Sequence, residues 1–92
     1  MQREVTILNK LGLHARPASE FVRCAQTFRS EIRLRKNNET FSGASILDVL
    51  SANLDCGATM TIEADGPDAE TALNQLSELL HEFKKQEELE GI

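Results

Sequence analysis

The sequence predicts an open-faced two-layer α+β sandwich, in which four strands form one sheet and three helices cover one of its faces. Three observations predict this class. Short segments alternate polar and apolar residues, longer segments repeat apolar residues at helical spacing, and the two kinds follow the order βαββαβα. With 92 residues the chain is long enough for one modest core, so a single domain is expected over residues 1–92.

The N-terminal third predicts a strand, a turn and a helix. Residues 4–7 alternate polar and apolar side chains, and residues 9–12 form the turn that follows, where Gly12 permits unusual backbone angles. Proline is tolerated best in the first turn of a helix, so a helix is expected to begin at Pro17 and to end near Ser30. Its apolar face consists of Ala18, Phe21, Val22, Ala25 and Phe28.

The middle of the chain predicts a hairpin and a short helix. Residues 31–35 and 39–41 are expected to be strands, joined by a turn at Asn37-Asn38. Ser45 and Asp48 have the spacing of a capping box with Asp in place of Glu, so a helix is expected to start at Ser45. Its apolar side consists of Ile46, Leu47, Val49, Leu50 and Leu54.

The C-terminal third predicts the fourth strand and the longest helix. Residues 59–64 alternate clearly, with Met60, Ile62 and Ala64 on one face. Asp68 is expected to be the N-cap of the last helix, and residues 85–92, which are rich in charge, are expected to form a frayed tail. The apolar face of this helix consists of Leu73, Leu76, Leu79, Leu80 and Phe83.

Composition narrows the class of protein. Charged residues make up 27 % and no apolar run approaches a membrane span, which favours a cytoplasmic globular protein without membrane insertion. The net charge is −5, yet residues 1–47 carry eight Lys/Arg against four acids, so the basic half would attract phosphate and acidic partner proteins. The negative net charge disfavours nucleic acid as a binding partner. Cys24 and Cys56 have no metal-like spacing and are expected to be reduced thiols, and no residue cluster predicts a metal or cofactor.

The candidate reactive side chains lie in one segment, Gly12–Ala18, with the sequence GLHARPA. His14 and Arg16 lie at the start of the predicted first helix, where free backbone N–H groups and the helix dipole favour an anion. A neutral imidazole is a nucleophile near pH 7, and an arginine two residues away supplies a fixed positive charge. Because His14 precedes a helix start, between a flexible glycine and a proline-locked turn, it is expected to be exposed and is a candidate carrier of a phosphoryl group. His81, within the last helix, is interpreted as a surface residue.

The chain resembles the HPr family, the histidine phosphocarriers of the phosphoenolpyruvate-dependent phosphotransferase system (PTS). GLHARPA is similar to the family's active-site loop, and Asn9–Gly12 leads into it as in many members of the nitrogen-regulatory branch. Ser45–Leu50 looks like the family's second helix, and the order of elements matches from about Arg3 to Phe83. The histidine motif is the specific part of this resemblance, because the serine motif alone is weak.

The resemblance implies a fold, a reaction and a set of partners. The strands would be antiparallel in the order one, four, two, three. Nδ1 of His14 would accept a phosphoryl group from enzyme I, which phosphoenolpyruvate charges, and would pass it to an enzyme IIA domain. Arg16 would stabilise the phosphate. The chain would then be a carrier without a cofactor rather than an enzyme, and it is expected to be a monomer.

Ser45 has two interpretations that the sequence leaves open. It is a common helix N-cap, and the resemblance implies a regulatory site for an HPr kinase/phosphorylase. Asp48 stands where many kinase-regulated members have glycine, and its charge would repel a phosphate on Ser45. The neighbouring apolar side chains Ile46, Leu47 and Leu50 are expected to form part of a docking surface around the site.

Other functions remain as alternatives. One alternative uses the same phosphoryl chemistry: a nitrogen-related PTS, in which the carrier serves regulation instead of sugar transport. Residues 9–12 favour the nitrogen branch, whereas residues 45–47 favour the sugar system. A second class is a regulatory binding module of the serine-phosphorylated corepressor type, which would not need His14. A histidine-dependent hydrolase would need an orienting acid and a substrate pocket, for which the sequence gives no sign.

Overall fold

The computed structural model describes residues 1–91 and has the predicted βαββαβα order. Strands and helices are numbered separately along the chain. The strands are β1 (Gln2–Thr6), β2 (Glu31–Lys36), β3 (Glu39–Ser42) and β4 (Thr59–Asp65), and the helices are α1 (Ala15–Ala25), α2 (Ile46–Ser51) and α3 (Ala69–Glu90).

The strands form one antiparallel sheet in the order β1-β4-β2-β3, which confirms the expected topology. β4 lies between β1 and β2, with Val5 opposite Met60 on one side and Leu34 opposite Ile62 on the other. The chain therefore crosses from β1 through α1 before it adds β2. This connection places α1 and the loop before it along the covered face of the sheet.

The core lies between that face and the three helices. Met60, Ile62 and Ala64 are buried as the alternation predicted, and they pack in the same apolar cluster as Phe21 of α1 and Leu76 of α3. Burying one side chain of this size stabilises the fold by roughly 1.5–3 kcal/mol. The other face of the sheet is polar and exposes its charges to solvent.

On that polar face two arginines share one carboxylate. Arg35 donates to Glu63 across 2.8 Å, and Arg33 lies 3.5 Å from the same carboxylate. The hydrogen bond from Arg35, with a smaller contribution from Arg33, holds the pKa of Glu63 below its usual range. Arg33 and Arg35 of β2 thus point away from the core.

The bounds of α1 differ from the prediction at both ends. α1 begins at Ala15, because the His14 carbonyl accepts the first helical hydrogen bond from Ala18 N–H at 2.9 Å. Pro17 is thus in the first turn but is not its first residue, and its missing N–H removes no helical bond. α1 ends at Ala25 rather than near Ser30, since Thr27 N–H turns back to Cys24 and starts a tighter turn.

The two other helix starts use their predicted caps in different ways. Ser45 is the N-cap of α2, and its hydroxyl accepts from Asp48 N–H at 3.3 Å. The Asp48 carboxylate accepts from Ser42 N–H, so the expected capping box has only one of its two bonds. Asp68 occupies the N-cap position of α3 but makes no side-chain cap; its carboxylate binds residues 29 and 30 instead.

The expected frayed tail over residues 85–92 is replaced by helix. α3 continues to Glu90, and Gly91 ends it in the left-handed conformation, with φ of 80°. The physical reason is Glu87, a buried carboxylate that binds a distant loop and so anchors the last turns. Residue 92 lies outside the described residues.

Two further properties concern membrane-spanning helices and the state of the two cysteines. Within residues 1–91, none of the helices combines the length and the apolar composition that crossing a membrane requires. Cys24, half-buried in the last turn of α1, and Cys56, exposed, are both free thiols. Burial raises the pKa of the Cys24 thiol.

Candidate functional site

The loop before His14 is held in one conformation by short contacts. The Asn9 side-chain amide donates to the Gly12 carbonyl at 2.7 Å, and Leu13 N–H donates to the Leu54 carbonyl at 2.8 Å. Gly12 has φ of +66°, and a Cβ placed on it would lie 2.6 Å from the Leu54 oxygen. Only glycine suits both the backbone angle and the close approach. The residue two positions later is thereby held in place.

That residue, His14, is the N-cap of α1 and has extended backbone angles. Its carbonyl oxygen belongs to the helix, whereas its side chain makes no capping hydrogen bond and is exposed. The imidazole is therefore free to meet a partner protein, as the sequence predicted.

Arg16 lies in the first turn of α1 and is exposed. Among the residues that the structure describes, its guanidinium takes part in no ion pair. A guanidinium with no carboxylate partner keeps all of its donors for an incoming anion, and its planar fork suits phosphate oxygens. The structure thus brings Arg16 to the same helix end as His14.

The helix end itself adds to the positive potential. The N–H groups of His14, Ala15 and Arg16 precede the first helical bond, and Pro17 has no N–H. These groups and the helix dipole favour a negative charge in front of α1. An N-terminal turn of this kind can stabilise an anionic group placed next to His14.

Beside the imidazole is a small cleft of about 70 Å³ between the loop and the C-terminal part of α3. Asn9, His14 and Arg16 line it on one side and Gln86, Glu87 and Glu90 on the other. Pockets for drug-sized ligands measure about 300–1,000 Å³, so this cleft is too small to enclose a sugar or a nucleotide. Within residues 1–91, His, Cys, Asp and Glu form no group of three that would hold a metal ion.

Ser45 lies away from this cleft. The Gln26 side chain, at the end of α1, donates to the Ala44 carbonyl at 3.1 Å, whereas Leu54, after α2, contacts the loop before His14. α2 therefore runs beside α1 from its C-terminal end back toward the histidine. Since α1 has 11 residues, it is about 16 Å long, and Ser45 is at its far end.

Between Ser45 and the loop, α2 exposes apolar side chains. Leu47 is 74 % exposed, Ile46 37 % and Leu50 39 %; that they form a docking surface stays a prediction. Leu11, which the sequence analysis did not select, is 52 % exposed on the loop itself. These exposed apolar side chains on two segments are candidates for contact with a protein partner. The docking surface is defined here as Leu11, Ile46, Leu47 and Leu50.

Comparison with known proteins agrees with this geometry. Residues 1–82 match the sequence model of the family described as the PTS HPr component phosphorylation site. Phosphocarrier protein HPr of Cupriavidus necator is 38 % identical over 80 residues, covering 87 % of this chain and 90 % of the relative. Phosphocarrier protein NPr of Shewanella violacea is 39 % identical over 80 residues, covering 87 % and 88 %.

A solved structure shows the same fold. HPr-C-His from Thermoanaerobacter tengcongensis is similar with a TM-score of 0.88 and 34 % identity, covering 92 % of this chain and 96 % of that one. The chain belongs to the HPr family of PTS phosphocarrier proteins. It is a carrier of phosphoryl groups rather than a catalyst, and membership implies enzyme I and an enzyme IIA as its partners.

One residue at this site was missed by sequence reasoning. Glu87 lines the cleft with His14, yet it was assigned to the tail. A glutamate in a charged helical segment gives no sequence signal of burial. Its partners lie more than 70 residues earlier in the chain, so no local pattern could have found the contact.

Proposed function

We propose that His14 is the residue that carries the phosphoryl group between enzyme I and an enzyme IIA domain. One observation carries this proposal: the His14 imidazole is exposed at the N-cap of α1, makes no capping hydrogen bond, and lines the same small cleft as Arg16. Among the described residues 1–91, no other residue combines a nucleophilic nitrogen with a helix N-terminus; His81, in the interior of α3, is exposed in mid-helix.

The transfer needs little more than positioning. A lone pair on the imidazole, which the family resemblance assigns to Nδ1, forms the new N–P bond while the bond from phosphorus to enzyme I breaks and its electron pair stays with enzyme I. The reverse order of bond changes delivers the group to enzyme IIA. Neither step consumes a nucleotide or requires a bound cofactor.

Arg16 and the helix N-terminus would stabilise the charge on the transferring phosphoryl group. Preorganised donors and positive charges act most strongly where negative charge develops in the transition state. Because Arg16 is exposed to solvent, it would stabilise the phosphate without trapping it. A carrier has to release its group as readily as it accepts it.

Docking to both partners is assigned to the surface formed by Leu11, Ile46, Leu47 and Leu50. Leu11 is exposed on the loop that carries His14, and the other three side chains are exposed on α2, which is followed by Leu54, a contact of that loop. Residues 1–47, which hold the histidine, have an excess of basic side chains that would attract acidic partners. A surface that binds two partners in turn has to stay accessible, which favours a monomer. The single-domain carrier would be in the cytoplasm, where enzyme I would act.

Phosphorylation of Ser45 by an HPr kinase is a second part of the proposal. The hydroxyl is half-buried as an N-cap and adjoins the docking surface, so a phosphate there would place charge beside apolar partner contacts. Asp48 opposes this reaction, since its carboxylate is held at the same helix end by Ser42 N–H. Regulation at Ser45 would therefore require a kinase that tolerates this charge.

The test is transfer from labelled phosphoenolpyruvate in the presence of enzyme I. We expect one acid-labile, base-stable phosphoryl group per chain, located on His14 by fragmentation of the intact phosphoprotein. Label on a different residue would overturn the proposal. Passing the labelled carrier to sugar-type and nitrogen-type enzyme IIA domains, and comparing the rates, would then decide between the two branches.

A further inference from the structure

The C-terminal part of α3 reaches back to the loop that precedes His14. The family model matches residues 1–82, whereas α3 continues to Glu90, about two further turns. Two side chains of this extension are buried, Phe83 and Glu87, and they lie four residues apart on one face of the helix. Glu87 is only 8 % exposed, and a carboxylate is almost never buried to this extent without partners.

The partners of Glu87 are consecutive residues of the loop. One carboxylate oxygen accepts from Lys10 N–H at 2.5 Å, and the other accepts from Leu11 N–H at 3.0 Å and from the Asn9 side chain at 3.3 Å. Bonds to an ionised carboxylate are roughly twice as strong as neutral ones. Burial raises the pKa of the Glu87 carboxyl, but these donors outweigh it and leave the pKa below its usual range.

The same loop leads directly to His14. Asn9 donates to Gly12 on one side of the turn, and Leu13 donates to Leu54 on the other. Residues 9–13 are thus held between the extension of α3 and the segment after α2. The imidazole follows at the next position, and its cleft is lined by Glu87.

We propose that Glu87 is a positioning residue for phosphoryl transfer: it clamps the backbone of Lys10 and Leu11 and thereby fixes the loop that carries His14. The inference rests on the proposed function of His14. With the loop clamped, neither enzyme I nor enzyme IIA has to order it on docking. A displacement of about 1 Å at a reacting group costs up to about a hundredfold in rate.

The experiment compares Glu87→Ala with two matched variants. Asp68→Ala removes three hydrogen bonds at the opposite end of α3, about 28 Å from Glu87 along the helix, and controls for lost stability. Glu88→Ala removes an exposed carboxylate next to Glu87 and controls for charge. Each variant is assayed for amide hydrogen exchange at Lys10 and Leu11, and for kcat and KM of enzyme I acting on it.

For Glu87→Ala we expect faster exchange at both amides and a kcat lower by about tenfold, within the range for misplaced reacting groups. Glu87→Gln, which keeps one acceptor oxygen, should recover part of the rate. Asp68→Ala and Glu88→Ala should react as the wild type does, at a temperature where all variants are folded. This pattern would show a local effect that loss of stability does not produce.

Two results would overturn the inference. One is a wild-type kcat for Glu87→Ala, and the other is an equal loss of kcat in Asp68→Ala. If wild-type protein were labelled on a residue other than His14, the proposed function would fail and the inference with it. Normal labelling of His14 with an unchanged rate in Glu87→Ala would overturn the clamp alone.

Discussion

The side-chain amide of Asn9 donates a 2.7 Å hydrogen bond to the carbonyl oxygen of Gly12, and Gly12 N–H donates back to the Asn9 carbonyl at 3.1 Å. The two residues close a turn whose next members are Leu13 and His14. Asn9 is only 2 % exposed, so its polar atoms depend on these bonds. The position of the imidazole is therefore set by the backbone before it.

Gly12→Ala should destabilise the domain and slow phosphorylation of His14. The left-handed backbone costs a non-glycine residue about 1–3 kcal/mol, and the new Cβ would also meet backbone atoms of Leu54 and Asp55. Gly57→Ala is the control, since Gly57 has φ of +88° with open space around it. Urea unfolding should show a larger loss for Gly12→Ala; equal losses would mean that the close approach to Leu54 costs nothing.

His14→Ala should keep its stability within about 0.5 kcal/mol, as exposed substitutions do, and should lose phosphorylation by enzyme I. The side chain is exposed and makes no capping bond, so little packing is removed. His81→Ala, which removes the other exposed histidine, should be labelled normally. Label on His14→Ala would assign the carrier role elsewhere.

Arg16→Ala should slow transfer in both directions without unfolding the protein. We expect a loss of about tenfold to a hundredfold, which corresponds to ~1.4–2.7 kcal/mol of transition-state stabilisation. The control is Arg23→Ala, which removes an exposed arginine from the last turn of the same helix. Rapid-quench rates measured with enzyme I and with enzyme IIA check the effect, and wild-type rates for Arg16→Ala would refute it.

Ser45→Asp should weaken enzyme I binding and slow phosphorylation of His14. The new carboxylate would lie at the edge of the docking surface, next to Ile46, where an acidic partner has to approach. Ser45→Asn keeps a good N-cap without the charge and should behave as the wild type does. If all three proteins reacted at the same rate, Ser45 would be a helix cap with no effect on docking.

Stability should fall in acid partly through Asp68. Its carboxylate accepts from the Ser30 hydroxyl at 2.6 Å and from the N–H groups of Arg29 and Ser30, and these bonds, led by the hydroxyl, lower its pKa in the folded state. A lowered folded pKa means that the stabilisation is complete above the unfolded value of about 3.9 and is lost as pH falls through the folded value.

Asp68→Asn should therefore be less stable than the wild type at pH 7, and the difference should shrink below about pH 4. Urea unfolding across that range measures it. Asp65→Asn, which changes an exposed carboxylate at the end of β4, controls for the loss of one negative charge. A difference that stays constant with pH would mean that the bonds to Ser30 do not depend on ionisation.

Much of the fold followed from local patterns. Alternation located all four strands within two residues of their observed bounds, because a strand with one buried face must repeat every second residue. Helical spacing found α1 and α3 but not their ends. α1 stops after Ala25, where Thr27 turns back to Cys24, although the apolar residue Phe28 continues the pattern.

The candidate site, like the fold, could be predicted only in part from local sequence patterns. The motif from Gly12 to Pro17 predicted the exposed histidine, the arginine beside it and the helix N-terminus, since all three follow from the chain's own backbone chemistry. Resemblance to the HPr family added the strand order and the partners. The sheet topology confirmed the strand order, and membership of the family implies enzyme I and an enzyme IIA as partners, whereas the HPr kinase and the monomeric state stay predictions.

What holds that site in place depends on contacts between distant parts of the chain. The bonds from Lys10 and Leu11 to Glu87 and from Ser30 to Asp68 join residues 38–77 positions apart. Periodicity reports which face of a segment is buried, but it carries no information on which carboxylate meets which backbone N–H. The glutamate that was expected in a frayed tail is therefore a buried hydrogen-bond acceptor for the loop of the candidate site. This contact exists only because α3 packs against that loop.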